Sequence, residues 1–232
     1  MIGLLGGHVT RPWARGFGPA VAYLVAMQQP AVIVMVKNPI PGKTKTRLAQ
    51  DVGNDMALEM YGILCRHTRD QLLALEGVTR YLHYSDHVAV DDDWPNRAFI
   101  KLVQVGQGLG ERMAAAFDHA FVRGHERVII IGSDCPGLTA NILRQALSEL
   151  ERHALVVGPA NDGGYYLLGM RHPHPELFAD MEWSTSAVLD ETLARAQVQG
   201  LPVARLPVLS DVDHLEDWLG YGWPLPEGLE EE

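Results

Sequence analysis

A three-layer α/β/α architecture built on a mostly parallel sheet is predicted by three features of this chain. Two uninterrupted apolar, β-branched runs, Ala31–Val36 and Val128–Ile131, lack polar alternation and read as strands buried on both faces. Each run ends in turn residues: Pro39, Pro41 and Gly42 after the first, Gly132 and Pro136 after the second. Around them, strand-like runs alternate with stretches of helical spacing, which calls for a sheet covered by helices on both faces.

The elements follow in order. Apolar residues at helical spacing (Leu58, Tyr61, Ile63, Leu64, Leu72, Leu73) predict helices over 46–52 and 56–75, interrupted at Gly53 and Asn54. Residues 78–84 read as a strand. Residues 86–96 are acidic and aperiodic and read as an exposed loop. Asp91, Asp92 and Asp93 are consecutive there, so they point in different directions and read as a solvated tip. A strand over 99–103 leads into the glycines 106, 108 and 110, then a helix over 111–123. After the 128–131 strand, Thr139 is placed to cap a helix running to 152. Residues 154–158 and 165–169 read as two strands joined by a turn at 159–164. Ser184 or Thr185 is expected to cap a helix reaching 199. A strand over 203–206, a short helix over 212–219 and a loose Pro-, Gly- and Glu-rich tail from 223 complete the chain.

Residues 1–28 are expected to form a poorly ordered extension. Their Arg11 and Arg15 follow an apolar start instead of preceding it, which is not a signal-peptide layout, and Met27 reads as the natural start. Residues 29–232 then form one domain with no internal repeat.

The chain has 232 residues, 47% hydrophobic and 21% charged, with a net charge of −10. That charge argues against nucleic-acid binding over the whole surface. No apolar run is long enough for a membrane span. The two cysteines, Cys65 and Cys135, have neither metal-ligand spacing nor the look of a disulfide framework, which suits a reducing cytoplasm. The oligomeric state is not legible.

Chemistry concentrates at the ends of the two central strands. Lys37, Lys43, Lys45 and Arg47 gather after the first, on an otherwise acidic protein. The carboxyl edge of an open α/β sheet is where ligands bind, and phosphate is the anion such cations suit. Asp134 follows the second run and is placed either to bind a divalent cation held by phosphate oxygens or to make an Asx turn. Asp213 is the second candidate metal ligand, with Asp211 in reserve; either also suits an N-cap. Gln104 with Gly108 and Gly110 forms a Gly-rich turn entering a helix, where backbone N–H groups suit an anion or a base edge. Asp162, Gly163, Gly164 and Tyr165 place a carboxylate and a ring beside permissive backbone, at what is equally a hairpin signal.

Two tempting motifs fail. Gly42, Lys43 and Thr44 imitate the end of a Walker A loop, but the position of its first glycine holds Lys37. His83 and His87 have zinc-helix spacing, but they lack the intervening Glu and straddle a strand end.

Taken together, the motifs run in a family's order. They are Lys37-x-Pro-x-Pro-Gly-x-x-Lys-Thr-Arg-Leu48, Gln104 with Leu-Gly-Glu-Arg-Met113, Gly132-Ser-Asp-Cys-Pro136, Gly158-Pro with Asp162-Gly-Gly-Tyr165, Trp183-Ser-Thr185, and Asp211-Val-Asp213. Over about 31–219 the chain resembles the nucleotide-diphospho-sugar transferases of GT-A fold, in particular the bacterial arsenosugar-biosynthesis-type glycosyltransferases. The resemblance implies a nucleotide across the N-terminal half of the sheet, first-loop cations on its diphosphate, and Asp134 in the place of the family's metal-binding aspartate. The chain departs from the family at Gly108, where an Asp is frequent.

The expected activity is therefore metal-dependent (Mg or Mn) transfer of a glycosyl group from a nucleotide sugar to a small-molecule acceptor, with Asp162 and Tyr165 orienting or deprotonating that acceptor. The alternative is a nucleotidyltransferase joining an NTP to a phosphorylated small molecule with pyrophosphate release, because Lys45, Thr46 and Arg47 resemble the triphosphate loop of such enzymes. A non-catalytic nucleotide-binding protein is the third reading.

Overall fold

The structure, a computed structural model, describes residues 29–227. The expectation for residues 1–28 lies outside the described residues. Seven strands form one sheet: β1 (Ala31–Val36), β2 (Thr79–Tyr84), β3 (Ile100–Val103), β4 (Val128–Ile131), β5 (Leu155–Pro159), β6 (Tyr165–Met170) and β7 (Val203–Arg205). Six helices accompany them: α1 (Leu48–Val52), α2 (Asn54–Leu73), α3 (Leu109–Val122), α4 (Ala140–Glu149), α5 (Val188–Val198) and α6 (Leu215–Gly220).

Strand order is β3-β2-β1-β4-β6-β5-β7. All pairings are parallel except those of β6, which runs antiparallel to both β4 and β5. The α/β class with a mostly parallel sheet is thus as the sequence predicts. Side-chain alternation along β1 and β4 explains why both runs are apolar throughout. Val32, Val34, Val36, Ile129 and Ile131 face one layer with Leu72 of α2 and Leu143 of α4. Ala31, Ile33, Val128 and Ile130 face the other with Met113, Ala116 and Phe117 of α3 and Ala196 of α5. Each fully buried Val, Leu or Ile contributes about 1.5–3 kcal/mol, so these two strands anchor both layers. A third cluster packs Leu48, Met60 and Leu64 against Val212 and Trp218, tying α1 and α2 to α6.

The topology also positions the site. From β1 the chain moves outward to β2 and β3, then returns to place β4 on the other flank of β1. The carboxyl ends of β1 and β4 therefore border a topological switch point, where connections diverge and leave a crevice. Because β6 is reversed, its first residues arrive at this same edge, with Leu167 paired to Ile131.

Several expectations change. Neither Ser184 nor Thr185 caps α5: the N-cap is Ala187, Ser184 has φ +64°, and the Thr185 hydroxyl donates to the Glu182 carbonyl at 3.1 Å. The last helix starts at Leu215, not 212. The Val212 N–H donates to the Asp134 carbonyl at 2.9 Å, and the Asp213 and His214 N–H groups donate to Asp217 Oδ2 at 2.9 and 2.8 Å. The 91–93 tip is not merely solvated, since Asp92 pairs with Lys101 at 2.6 Å and accepts from the Tyr84 hydroxyl. The start of the expected loose tail is packed: Trp223 sits edge-on to His67 and Trp218. Among the described residues, no helix is long and apolar enough to cross a membrane.

Candidate functional site

The loop after β1 is held by its own backbone chemistry. Asn38 is buried; its Oδ1 accepts the Asp86 N–H at 2.9 Å, and its Nδ2 donates to the His87 carbonyl at 2.9 Å. The Thr44 hydroxyl donates to the Asn38 carbonyl at 2.6 Å. Gly42 takes φ +72° with open space around it, a conformation that suits glycine at the tightest point of the turn. Lys45 is also left-handed, at φ +53°, and its side chain is carried inward.

That inward turn builds a charge cluster. Lys45 Nζ donates to Asp134 Oδ2 at 2.7 Å and to the Val212 carbonyl at 2.6 Å, and lies 4.0 Å from Asp213 Oδ1. Arg47 donates to Asp213 Oδ2 at 2.7 Å. Burial pushes the Asp134 carboxyl up, but the charge and hydrogen bond of Lys45, with Lys37 behind them, outweigh burial and hold it below its ordinary value. Asp211 goes the other way. Burial first, then the Asp134 charge, push its carboxyl up to about 8 against the pull of Lys45. Asp211 Oδ1 is buried with no hydrogen-bond partner among the described residues.

Two cavities meet here. One, of about 640 Å³, is lined by Asn38, Lys43, Ser85, Asp86, Gln104 and Gln107, among others. The other, of about 590 Å³, is lined by Lys45, Arg47, Asp162, Trp183, Asp211 and Asp213, among others. Met35, Lys37, Thr44, Leu109, Asp134, Tyr165 and Ser184 line both, so they form the common wall. Both volumes suit small ligands.

Each residue singled out from sequence has a definite place. Lys37 and Lys43 are exposed and form no ion pair among the described residues. Lys45 is buried in the carboxylate cluster, and Arg47 stands at its open side. Gln104 is structural glue: its Nε2 donates to the Val36 and His83 carbonyls at 3.2 and 2.9 Å, and its Oε1 accepts from Arg112 at 3.2 Å. Gly108 is the N-cap of α3, with no side-chain cap, so the first N–H groups of that helix lack intrahelical partners where Leu109 joins the common wall. Gly110 makes room for an indole: a Cβ there would lie 2.4 Å from Trp183 Nε1.

Asp162 Oδ1 accepts the Gly164 N–H at 2.9 Å, an Asx turn within the β5–β6 connection. Gly163 is wedged against the next segment; a Cβ on it would lie 2.2 Å from the Ser186 carbonyl oxygen. Tyr165 presents its ring to the common wall, while its hydroxyl is buried without a partner among the described residues and pushed up by burial, next to Thr192.

Sequence reasoning passed over Asn38, Ser85, Asp86, Gln107 and Ser186 as site residues, and read Ser184 and Thr185 as helix caps and as part of a family motif. Asp86 had a signal, since it lies two residues past the carboxyl end of β2, at the ligand-binding edge.

Among the described residues, no three His, Cys, Asp or Glu side chains group as a preformed metal site. The donors nonetheless fit a hard divalent cation, because Asp134 and Asp211 offer oxygen and Asp211 carries an orphaned buried atom. Two carboxylates plus substrate phosphates complete such a site.

Fold and crevice together are those of the nucleotide-diphospho-sugar transferase architecture. A Desulfovibrio desulfuricans G20 crystal structure, provisionally assigned as a nucleotide-diphospho-sugar transferase, matches at TM-score 0.73 and 34% identity, covering 81% of this chain and 83% of that one. The profile of the family described as "Uncharacterized protein conserved in bacteria (DUF2064)" matches residues 68–185, and the chain belongs to this family. The phosphoenolpyruvate guanylyltransferase of Sphaerobacter thermophilus is 27% identical over 130 residues, 56% of this chain. The aligned stretch spans 63% of that curated relative's length. The inositol-1-phosphate CTP transferase of T. maritima shares the fold, at TM-score 0.53 and 14% identity over 82% of this chain and 91% of that one.

Proposed function

We propose that the protein is a nucleotidyltransferase, joining an NTP to a phosphorylated small acceptor with release of pyrophosphate. One observation carries the reading: Lys37 and Asp134 stand on a wall common to two ligand-sized cavities, so a phosphate held there borders both. The nucleoside occupies the first cavity. Lys37, Lys43 and the N-terminus of α3 hold the phosphates. The acceptor occupies the second cavity, beside Arg47 and Asp162. An acceptor oxygen attacks the α-phosphorus, the bond from that phosphorus to the bridging oxygen breaks, and pyrophosphate leaves with the electron pair.

Asp134 and Asp211 are the residues suited to a Mg or Mn ion, which when bound would offset charge on the phosphates. Asp213 is occupied by Arg47 and acts by orienting that guanidinium. Asp162 positions the acceptor; Tyr165 supplies a ring wall and not a proton. The guanylyl transfer named for the Sphaerobacter relative, onto a phosphorylated small acid, supports this reading over glycosyl transfer.

The test is a pyrophosphate-release assay with each NTP, phosphorylated acceptors and Mg²⁺ or Mn²⁺. Pyrophosphate formed by the protein and abolished by Asp134→Ala supports nucleotidyl transfer. Release of a nucleoside diphosphate from a nucleotide sugar would instead establish glycosyl transfer, the reading favoured by the name of the Desulfovibrio relative.

A further inference from the structure

We propose that Asp86 reads the base of the bound nucleotide and selects guanine. The inference rests on nucleotide binding in the first cavity as set out above, and it adds the base. It comes from counting which polar side chains of that cavity still have hydrogen-bonding capacity.

Most are spent. The Gln104 amide uses both ends on Val36, His83 and Arg112. Asn38 uses its amide on the Asp86 and His87 backbone. Thr44 donates to the Asn38 carbonyl and accepts the Ile40 N–H. Arg112, a donor only, gives Nε to the Gly106 carbonyl and Nη1 to Gln104 and offers a base no acceptor. Ser85 accepts the Asn38 N–H and donates to Asp86 Oδ2.

Asp86 is different. Its backbone is pinned by Asn38 and one oxygen by Ser85, yet a carboxylate has about four acceptor sites, so most are unspent among the described residues, on a side chain that lines the cavity. In the lining of the same cavity, Gln107 keeps a side-chain amide with no partner among the described residues.

A pinned acceptor fork selects a base with two adjacent donors. On its pairing edge guanine shows N1–H beside the N2 amino group. Adenine and cytosine set a ring-nitrogen acceptor beside their amino group, which a carboxylate repels. Uracil flanks its single N–H with two carbonyls. Guanine O6 is then left for the amide donors of Gln107. A bidentate side-chain-to-base pair discriminates by roughly 5-fold to 150-fold.

The experiment is calorimetric titration of the full chain with GTP, ITP, CTP, UTP and ATP, Mn²⁺ present and acceptor absent, on the wild type and on Asp86→Asn. Thermal unfolding confirms that the exposed substitution leaves the fold intact. The expected result is GTP binding at least about 10-fold tighter than ATP, CTP or UTP, with ITP, which lacks the 2-amino group, in between. Asp86→Asn should weaken GTP about 10-fold or more and leave the other nucleotides within about threefold. Equal affinities for all nucleotides, or an equal loss for all in Asp86→Asn, would overturn base selection by Asp86 while leaving nucleotidyl transfer standing. No binding of any NTP would overturn both.

Discussion

Lys45 and Asp134, 89 positions apart in sequence, meet at 2.7 Å across the ends of β1 and β4. A loop cation that sequence alone assigns to phosphate is in this structure the counter-charge of the carboxylate it was expected to face. Lys45 is almost fully buried, so its charge is expensive to leave unpaired.

Lys45→Met should destabilise the fold by about 3 kcal/mol, read by urea unfolding. Combined with Asp134→Asn, the loss should be smaller than the sum of the two single losses, because each single change strands the other group. The pair also sets a pH dependence. With Asp134 held below its ordinary value, its contribution is present above about pH 4 and is lost as pH falls further. In Lys45→Met, burial acts without that opposition, and NMR titration should find the Asp134 carboxyl moved upward.

Asp211 should behave in the opposite sense. Its carboxyl, pushed up to about 8, resists ionisation at neutral pH, and a divalent cation needs it ionised. Mn²⁺ binding with nucleotide should therefore strengthen as pH rises from 6 to 8, by at most about tenfold per unit, with proton release measurable by calorimetry in buffers of different ionisation enthalpy. Asp211→Asn should remove this pH dependence and weaken the cation. The same variant should be more stable than wild type above pH 8, where the wild type must carry a buried, unpaired charge.

Gly110→Ala should displace Trp183. The added methyl would overlap the indole, and overpacking of this kind costs about 1–3 kcal/mol. The indole lines the second cavity, so acceptor KM should change more than NTP affinity. Unchanged stability and unchanged tryptophan fluorescence would show that the indole yields freely.

His83 lies on β2, buried, with Nε2 unpartnered among the described residues, and its ring centroid is 6.0 Å from that of His119. Burial, then the His119 charge, lower its pKa from 6.5 to about 4. A base depressed in this way holds no proton in the fold at neutral pH, so stability is fully present above 6.5 and is lost as pH falls toward 4. Its contribution to acid destabilisation at pH 4.5 is about 2–3 kcal/mol. His83→Leu should therefore gain on wild type by about that amount between pH 7 and pH 4.5 in urea titrations.

The architecture was largely legible because β1 and β4 advertise double-sided burial, and because turn residues mark where each stops. The placing of a candidate site at one edge followed from the charged residues that come after those two strands. What the sequence could not show is side-chain direction. Four cations after β1 look alike in a string, yet Lys37 and Lys43 stay exposed, Arg47 is exposed but paired with Asp213, and Lys45 turns inward. Asp211 and Asp213 alternate in the same way, yet Asp213 is taken by Arg47 while Asp211 is left with an orphaned oxygen among the described residues. Ser184 and Thr185 had the chemistry of helix caps, but the carbonyl of Gly163 already takes the Leu189 N–H and draws the helix start onward.

The reversed direction of β6 has a consequence for how such a scaffold diversifies. A crossover between parallel strands must span the length of the sheet, whereas the β5–β6 connection is only a turn at the rim. Lengthening or reshaping that turn would remodel the compartment holding Asp162 without disturbing the register of β1 against β4. Selectivity toward one reactant can thus drift across relatives while the pocket for the other is inherited intact.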